Sequence, residues 1–228
     1  MTAFANPNKP CGLAPVQSLI GADWTSKANW YCIPSSDSTY NYMIGDLVTL
    51  AAAAGGDSNG TPYIVQCGAG APAIGVIASV GLAQSIAGIL PYGGPPINPN
   101  NLAQVYAPIA KAGQNYYALV IDDPNVIFEI QEGSSVATTN LTQTSVSLNA
   151  NIAIGANATA ATPVGFMSNT YLDNHTAPTT TNSFNLRIVR FAPRLDNHFT
   201  TVPATGGGYQ KWWVKINSHY YQTGVTAP

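Results

Sequence analysis

The stretch ALVIDDPNVIFEIQEG, residues 118–133, holds four of the chain's ten acidic residues: Asp122, Asp123, Glu129 and Glu132. Carboxylates this dense could supply a general acid and a general base. In a glycosidase, two of them would face each other across a cleft at roughly 5–9.5 Å. The same residues also fit a turn and the solvated side of a strand. Asp123-Pro124-Asn125 has the order of a type I turn: an acid first, proline with φ pre-set near −65°, then asparagine. From Val126 onward, a period of two puts Val126, Phe128 and Ile130 on one face and Ile127, Glu129 and Gln131 on the other. Asp122 and Asp123 then belong to the turn, with Glu129 and Glu132 on or beyond the strand rim. Nothing in this spacing requires two acids to face one cleft, so the acids are expected to be structural.

Other reactive residues form no site. His175, His198 and His219 stand in no HxxxH or HExxH pattern, and Cys11, Cys32 and Cys67 form no CxxC. Asp173-Asn174-His175 and Asp196-Asn197-His198 look like repeated loop elements explained by Asx turns. There is no GxSxG, no P-loop and no GxGxxG after a strand. The expectation is a protein that is not an enzyme, with no catalytic, cofactor-binding or metal-binding residues and no cofactor. The odd cysteine count fits reduced thiols in a protein made in the cytosol.

The cations are more concentrated. Arg187, Arg190, Arg194, Lys211 and Lys215 make up five of the eight basic residues. In KWWVKIN, Trp212, Val214 and Ile216 point to the core, which leaves Lys211, Trp213 and Lys215 on one outer face. A tryptophan between two lysines could stack on a sugar or a base, or serve a contact between subunits, where Trp and Arg are enriched. Arg187 and Arg190 are three apart, so a regular strand sends them to opposite faces, and at least one of them is expected to meet an acid such as Glu129, in the fold or on a neighbour. A net charge of −2 and the lack of an RNP-type motif argue against nucleic acid.

The elements that carry these residues read as all-β. GDLVTLAA (45–52) and PYIVQCG (62–68) are strands joined through Asn59-Gly60, a strong hairpin signal. Further strands are expected at 73–80, 102–110, 115–121, 126–131, 184–192 and 209–217, with a Pro/Gly loop at 88–101 and short alternating segments over 145–168. The apolar run 73–90 nearly has the length of a membrane span, but its glycines, serines and Gln84 favour a strand running into a loop, and no membrane partner is expected. Strand-sized segments between turn signals indicate a β-sandwich (jelly-roll-like) or a small β-barrel over residues 37–228. Residues 1–36, with Pro7, Pro10, Pro15 and Pro34, read as an extended N-terminal arm whose Trp24 and Trp30 would bury in a partner, and deletion of residues 1–15 is expected to leave the β domain folded.

Composition gives a further lean. Charged residues are only 8% of the chain, against roughly 25% in ordinary soluble domains. None falls between Ser58 and Ala110 or between Gly133 and Leu172. A surface so poor in charge suits a protein packed against copies of itself or against a scaffold.

Three segments, YALVIDDPNVIFEIQEG, NLRIVRFAPRLDN and KWWVKINSHYYQTGV, resemble a group of virion structural proteins of tailed bacteriophages, the capsid decoration or cement proteins. The resemblance spans residues 117–226; the earlier part is similar only in character. It implies a β-sandwich or β-barrel protein, a homo-oligomer (dimer or trimer), made in the host bacterial cytoplasm and located on the capsid surface of the virion. Its partner would be the phage major capsid protein, whose adjacent capsomers it would cement. The residues expected at such an interface are Trp24, Trp30, Lys211, Trp213 and Lys215. The alternative from the residues alone is a β-sandwich carbohydrate- or receptor-binding module using Tyr116-Tyr117, Tyr220-Tyr221 and Trp212-Trp213.

Overall fold

A computed structural model describes residues 6–21, 27–52, 55–82, 106–133, 140–165, 167–199 and 208–222. The expected loop at 88–101 lies wholly outside them, as does Trp24. The fold is all-β. Its strands are β1 (Ala14–Ser18), β2 (Asn29–Ile33), β3 (Tyr42–Met43), β4 (Leu47–Leu50), β5 (Ile64–Gln66), β6 (Gly75–Leu82) and β7 (Tyr106–Ala107). They continue with β8 (Tyr116–Ile121), β9 (Val126–Gly133), β10 (Asn149–Ala150), β11 (Ile152–Ala153), β12 (Tyr171–Asp173), β13 (Leu186–Phe191) and β14 (Lys211–Ile216).

Two larger sheets and one short pair are formed. A five-stranded sheet runs β2-β8-β6-β4-β5. Its last strand returns beside its first through a parallel bridge, Cys32 to Tyr63, where the Cys32 N–H donates to Pro62 O at 2.9 Å. The result is a nearly closed barrel, with the β3–β7 pair adding Tyr42 and Ala107 to its interior. The seven-stranded sheet runs β10-β13-β14-β9-β12-β11, and β1 pairs with the first half of β9.

Hydrophobic burial is organised by these layers. Ile33, Val48, Ile77, Ala118 and Val120 fill the barrel. Their chain neighbours Leu47, Val76 and Ile121 point outward and pack against Phe128, Ile130, Trp212, Val214 and Ile188 of the seven-stranded sheet. Barrel strands are thus buried on both faces, which is why GDLVTL and YYALVI are near-continuous apolar runs rather than alternating ones. The expected hairpin at Asn59-Gly60 is present: β4 pairs antiparallel with β5, Val48 opposite Gln66, and the Gly60 N–H donates to Asp57 O at 3.0 Å.

The N-terminal arm requires correction. Residues 14–18 and 29–33 are strands of the two sheets, with Ala14 opposite Glu129 and Asn29 opposite Val120. Leu13, Tyr31, Cys32 and Ile33 are buried. The prolines do not exclude this, because β1 lies at a sheet edge where a missing N–H is tolerated, and its register shifts between Pro15 and Gln17.

The turn at 122–125 is as expected. The Val126 N–H donates to Asp123 O at 3.2 Å, and the Asp123 carboxylate accepts from the Asn125 N–H at 2.8 Å. Pro124→Ala is therefore expected to cost only about 0.4–1 kcal/mol, through the entropy of the unfolded chain. Phe128→Ala, which empties a fully buried site, is expected to cost about 3–5 kcal/mol. Chemical denaturation of both variants checks the strand face: two small, equal losses would contradict it.

Candidate functional site

The four carboxylates diverge. Glu132 lies on the core side of β9, fully buried, and accepts from Trp212 Nε1 at 3.0 Å, the Leu141 N–H at 3.0 Å and Gln210 Nε2 at 3.0 Å. Burial is the larger influence and pushes its pKa up to about 7, against the lowering effect of those donors. The expectation that it sits at the rim is corrected: counting by twos from Phe128 and Ile130 leads to the interior. Glu129 lies on the opposite face of the strand, where Arg194 Nη1 approaches Oε1 at 2.9 Å. Asp122 is buried and accepts from Asn29 Nδ2 at 2.9 Å and from the Tyr31 hydroxyl at 2.8 Å, while Asp123 shapes the turn. Glu129 and Glu132 point to opposite sides of one sheet and cannot flank one glycosidic bond.

A cavity of about 1120 Å³ opens where residues 8–11 pass the end of β9, bounded also by Tyr171 and Tyr209. The carboxyl residue among its lining is Glu132, whose side chain already accepts the three hydrogen bonds above. Among the described residues, no three of His, Cys, Asp and Glu cluster as metal ligands would. The two Asp-Asn-His segments differ in use. Asp173 caps an Asx turn through the His175 N–H at 2.9 Å, whereas Asp196 pairs with Arg194 Nε at 2.9 Å and Lys211 Nζ at 3.1 Å. His219 is buried, and burial lowers its pKa to about 4; its Nδ1 accepts from the Tyr221 N–H at 3.0 Å.

The outer face of the seven-stranded sheet is where charge gathers. Strand β14 alternates as expected, with Trp212, Val214 and Ile216 buried and Lys211, Trp213 and Lys215 half-buried on the outer side. On β13, however, the register shifts between Ile188 and Arg190, so that Arg187 opposes Lys215 and Arg190 opposes Trp213. The irregularity adds one residue and returns Arg190 to the face of Arg187, overturning the expectation of opposite faces. The Arg190 guanidinium lies 5.3 Å from the centre of the Trp213 ring, a cation–π distance. Trp213 Nε1 donates to Glu129 Oε2 at 3.4 Å. The acid at Glu129 is met by Arg194 rather than by Arg187 or Arg190. Five cations and two acids, Glu129 and Asp196, thus leave this face at a formal +3 on a chain of −2.

No protein-family model matches the chain, and no match is found among curated proteins or solved structures.

Of the residues expected at an interface, Lys211, Trp213 and Lys215 come together. Trp30 lies half-buried on β2 in the barrel sheet, apart from that face. Of the aromatic pairs expected of a sugar-binding module, Tyr116, Tyr117 and Trp212 are buried, while Tyr221 is exposed and its hydroxyl meets that of Tyr31 at 3.0 Å. The sequence reading did not single out Arg187 and Arg190 as partners of this face, because a bulge has no signature in a two-residue period. Among the described residues, no helix is long and apolar enough to cross a membrane.

Proposed function

We propose that this chain is a non-enzymatic structural protein of a phage virion, which binds the outside of an assembled capsid and cements adjacent capsomers. The observation that carries this reading is the outer face of the seven-stranded sheet. It collects five of the chain's eight cations around one half-buried tryptophan, on a chain of which only 8% is charged. Such a face supplies an aromatic anchor with a polar rim, the arrangement of binding hot spots. Cementing then follows from mass action: a protein that binds only the assembled shell adds its binding free energy to the shell's stability. Repetition over the lattice multiplies a modest energy per site.

The experiment is quantitative mass spectrometry of purified virions, with co-sedimentation of the protein and shells stripped of it. Hundreds of copies per particle and saturable binding are expected for a lattice protein. A handful of copies at one vertex, or a protein absent from the virion, would exclude the cement role.

A further inference from the structure

The cationic face has two halves that differ in neutralisation. Around β14's first residue, Lys211 and Arg194 share Asp196, and Arg194 also holds Glu129, so each cation has its acid. Around Lys215 the pattern stops. Arg187 stands directly across the strand pair from Lys215, a like-charge juxtaposition that weakens a sheet. Arg190 follows on the same face over Trp213. Among the described residues, none of the three forms an ion pair with a carboxylate. Arg187 Nε donates to the Asn149 side-chain oxygen at 3.2 Å, and Lys215 Nζ reaches the Gln222 oxygen at 3.2 Å once that amide is turned to satisfy both its ends. Both of those partners are neutral. A chain with eight cations sets three of them side by side, and no acid among the described residues is paired with them.

We propose that Arg187, Arg190 and Lys215 form a carboxylate-binding patch, occupied by a cluster of Asp and Glu side chains on the shell protein. This rests on the capsid-binding reading above and names the chemistry of its contact. Guanidinium groups suit the occupant: their planar N–H forks match a carboxylate in two parallel hydrogen bonds. The Trp213 ring, 5.3 Å from the Arg190 guanidinium, holds that cation on the outer face beside Arg187 and Lys215. Three cations in a compact patch, on a chain that is acidic overall, favour a local cluster of carboxylates over the continuous phosphate track of a nucleic acid.

The test compares Arg187→Gln/Arg190→Gln/Lys215→Gln with Lys27→Gln, an exposed cation just before β2 and away from this face, after melting curves confirm that both are folded. On stripped shells, the triple variant is expected to bind at least 10-fold more weakly. Lys27→Gln should stay within 3-fold of the parent, and parent binding should weaken as salt rises from 50 to 500 mM. Equal losses in the two variants, or salt-independent binding, would overturn the patch while leaving the capsid reading intact. If the parent does not bind shells at all, the capsid reading fails, and immobilised poly-L-glutamate decides the patch separately. Retention of the parent but not of the triple variant supports it, and equal retention overturns it. Stronger retention on duplex DNA than on polyglutamate would also overturn it, assigning the three cations to phosphate.

Discussion

Removal of residues 1–18 is expected to abolish cooperative folding. The truncation deletes β1, which covers one edge of β9 from Val126 to Glu129. It also removes Leu13 from the core beneath the sheet. The Asn6 side chain would be lost as well; it donates to Gly208 O and His198 O at 2.9 Å each and accepts from the His198 N–H at 2.8 Å. Gly12 and Gly45 lock the crossing behind Leu13. Both have left-handed φ, the Leu13 N–H donates to Gly45 O at 2.9 Å, and a Cβ on Gly12 would stand 2.4 Å from that same oxygen. Leu13→Ala alone should cost about 2–5 kcal/mol. The whole segment should exceed that by enough to exhaust a stability of about 5–15 kcal/mol. Circular dichroism during heating checks this: the truncated chain should show no sigmoidal transition, and Leu13→Ala should lower Tm by roughly 2–4 °C per kcal/mol lost. A truncated protein melting within a few degrees of the parent would show that residues 1–18 are dispensable after all.

The same segment shows where the sequence was legible and where it was not. Strands such as β4, β8 and β14 were readable because each is a run of β-branched and aromatic residues between turn signals, information held within ten residues. Ala-Pro-Val-Gln-Ser has no such run. It is a strand because β9, more than a hundred positions away, offers an edge, and non-local pairing leaves no local trace. Pro15 reinforced the misreading, since proline at an edge strand and proline in a free arm look alike in sequence. Glu132 was within reach: the alternation Phe128, Ile130, Glu132 pointed inward, and only the habit of placing acids at the rim pointed outward. Arg190 was not, because it turns on one extra residue in β13. Of the candidate site, therefore, the β14 half followed from periodicity and the β13 half required the fold.

Glu132 should give the protein a pH dependence of unusual sign. Its folded pKa is raised from 4.5 to about 7, chiefly by burial. The folded state therefore holds the proton more tightly than the unfolded chain does. Stability from this group is fully present below about pH 4.5 and is lost as pH rises through 7, where an unpaired anion must remain in the core. Each pKa unit is about 1.4 kcal/mol, so the window spans on the order of 3 kcal/mol. Asp46, buried and raised to about 6, acts in the same direction. His219, lowered to about 4, acts in the opposite one, losing stability as pH falls below 6.5. The raw pH profile therefore mixes all three. Comparison of the parent with Glu132→Gln isolates the carboxylate, because Asp46 and His219 are common to both. Glutamine keeps the shape and can still accept from Trp212 Nε1, but it carries no titrating proton. The difference in unfolding free energy, parent minus variant, is expected to be largest at and below about pH 4.5, to fall as pH rises to about 7, and to level off above it. A difference that stays flat would mean that Glu132 titrates normally. One that grows with pH would mean that its three donors stabilise the anion more than burial opposes it.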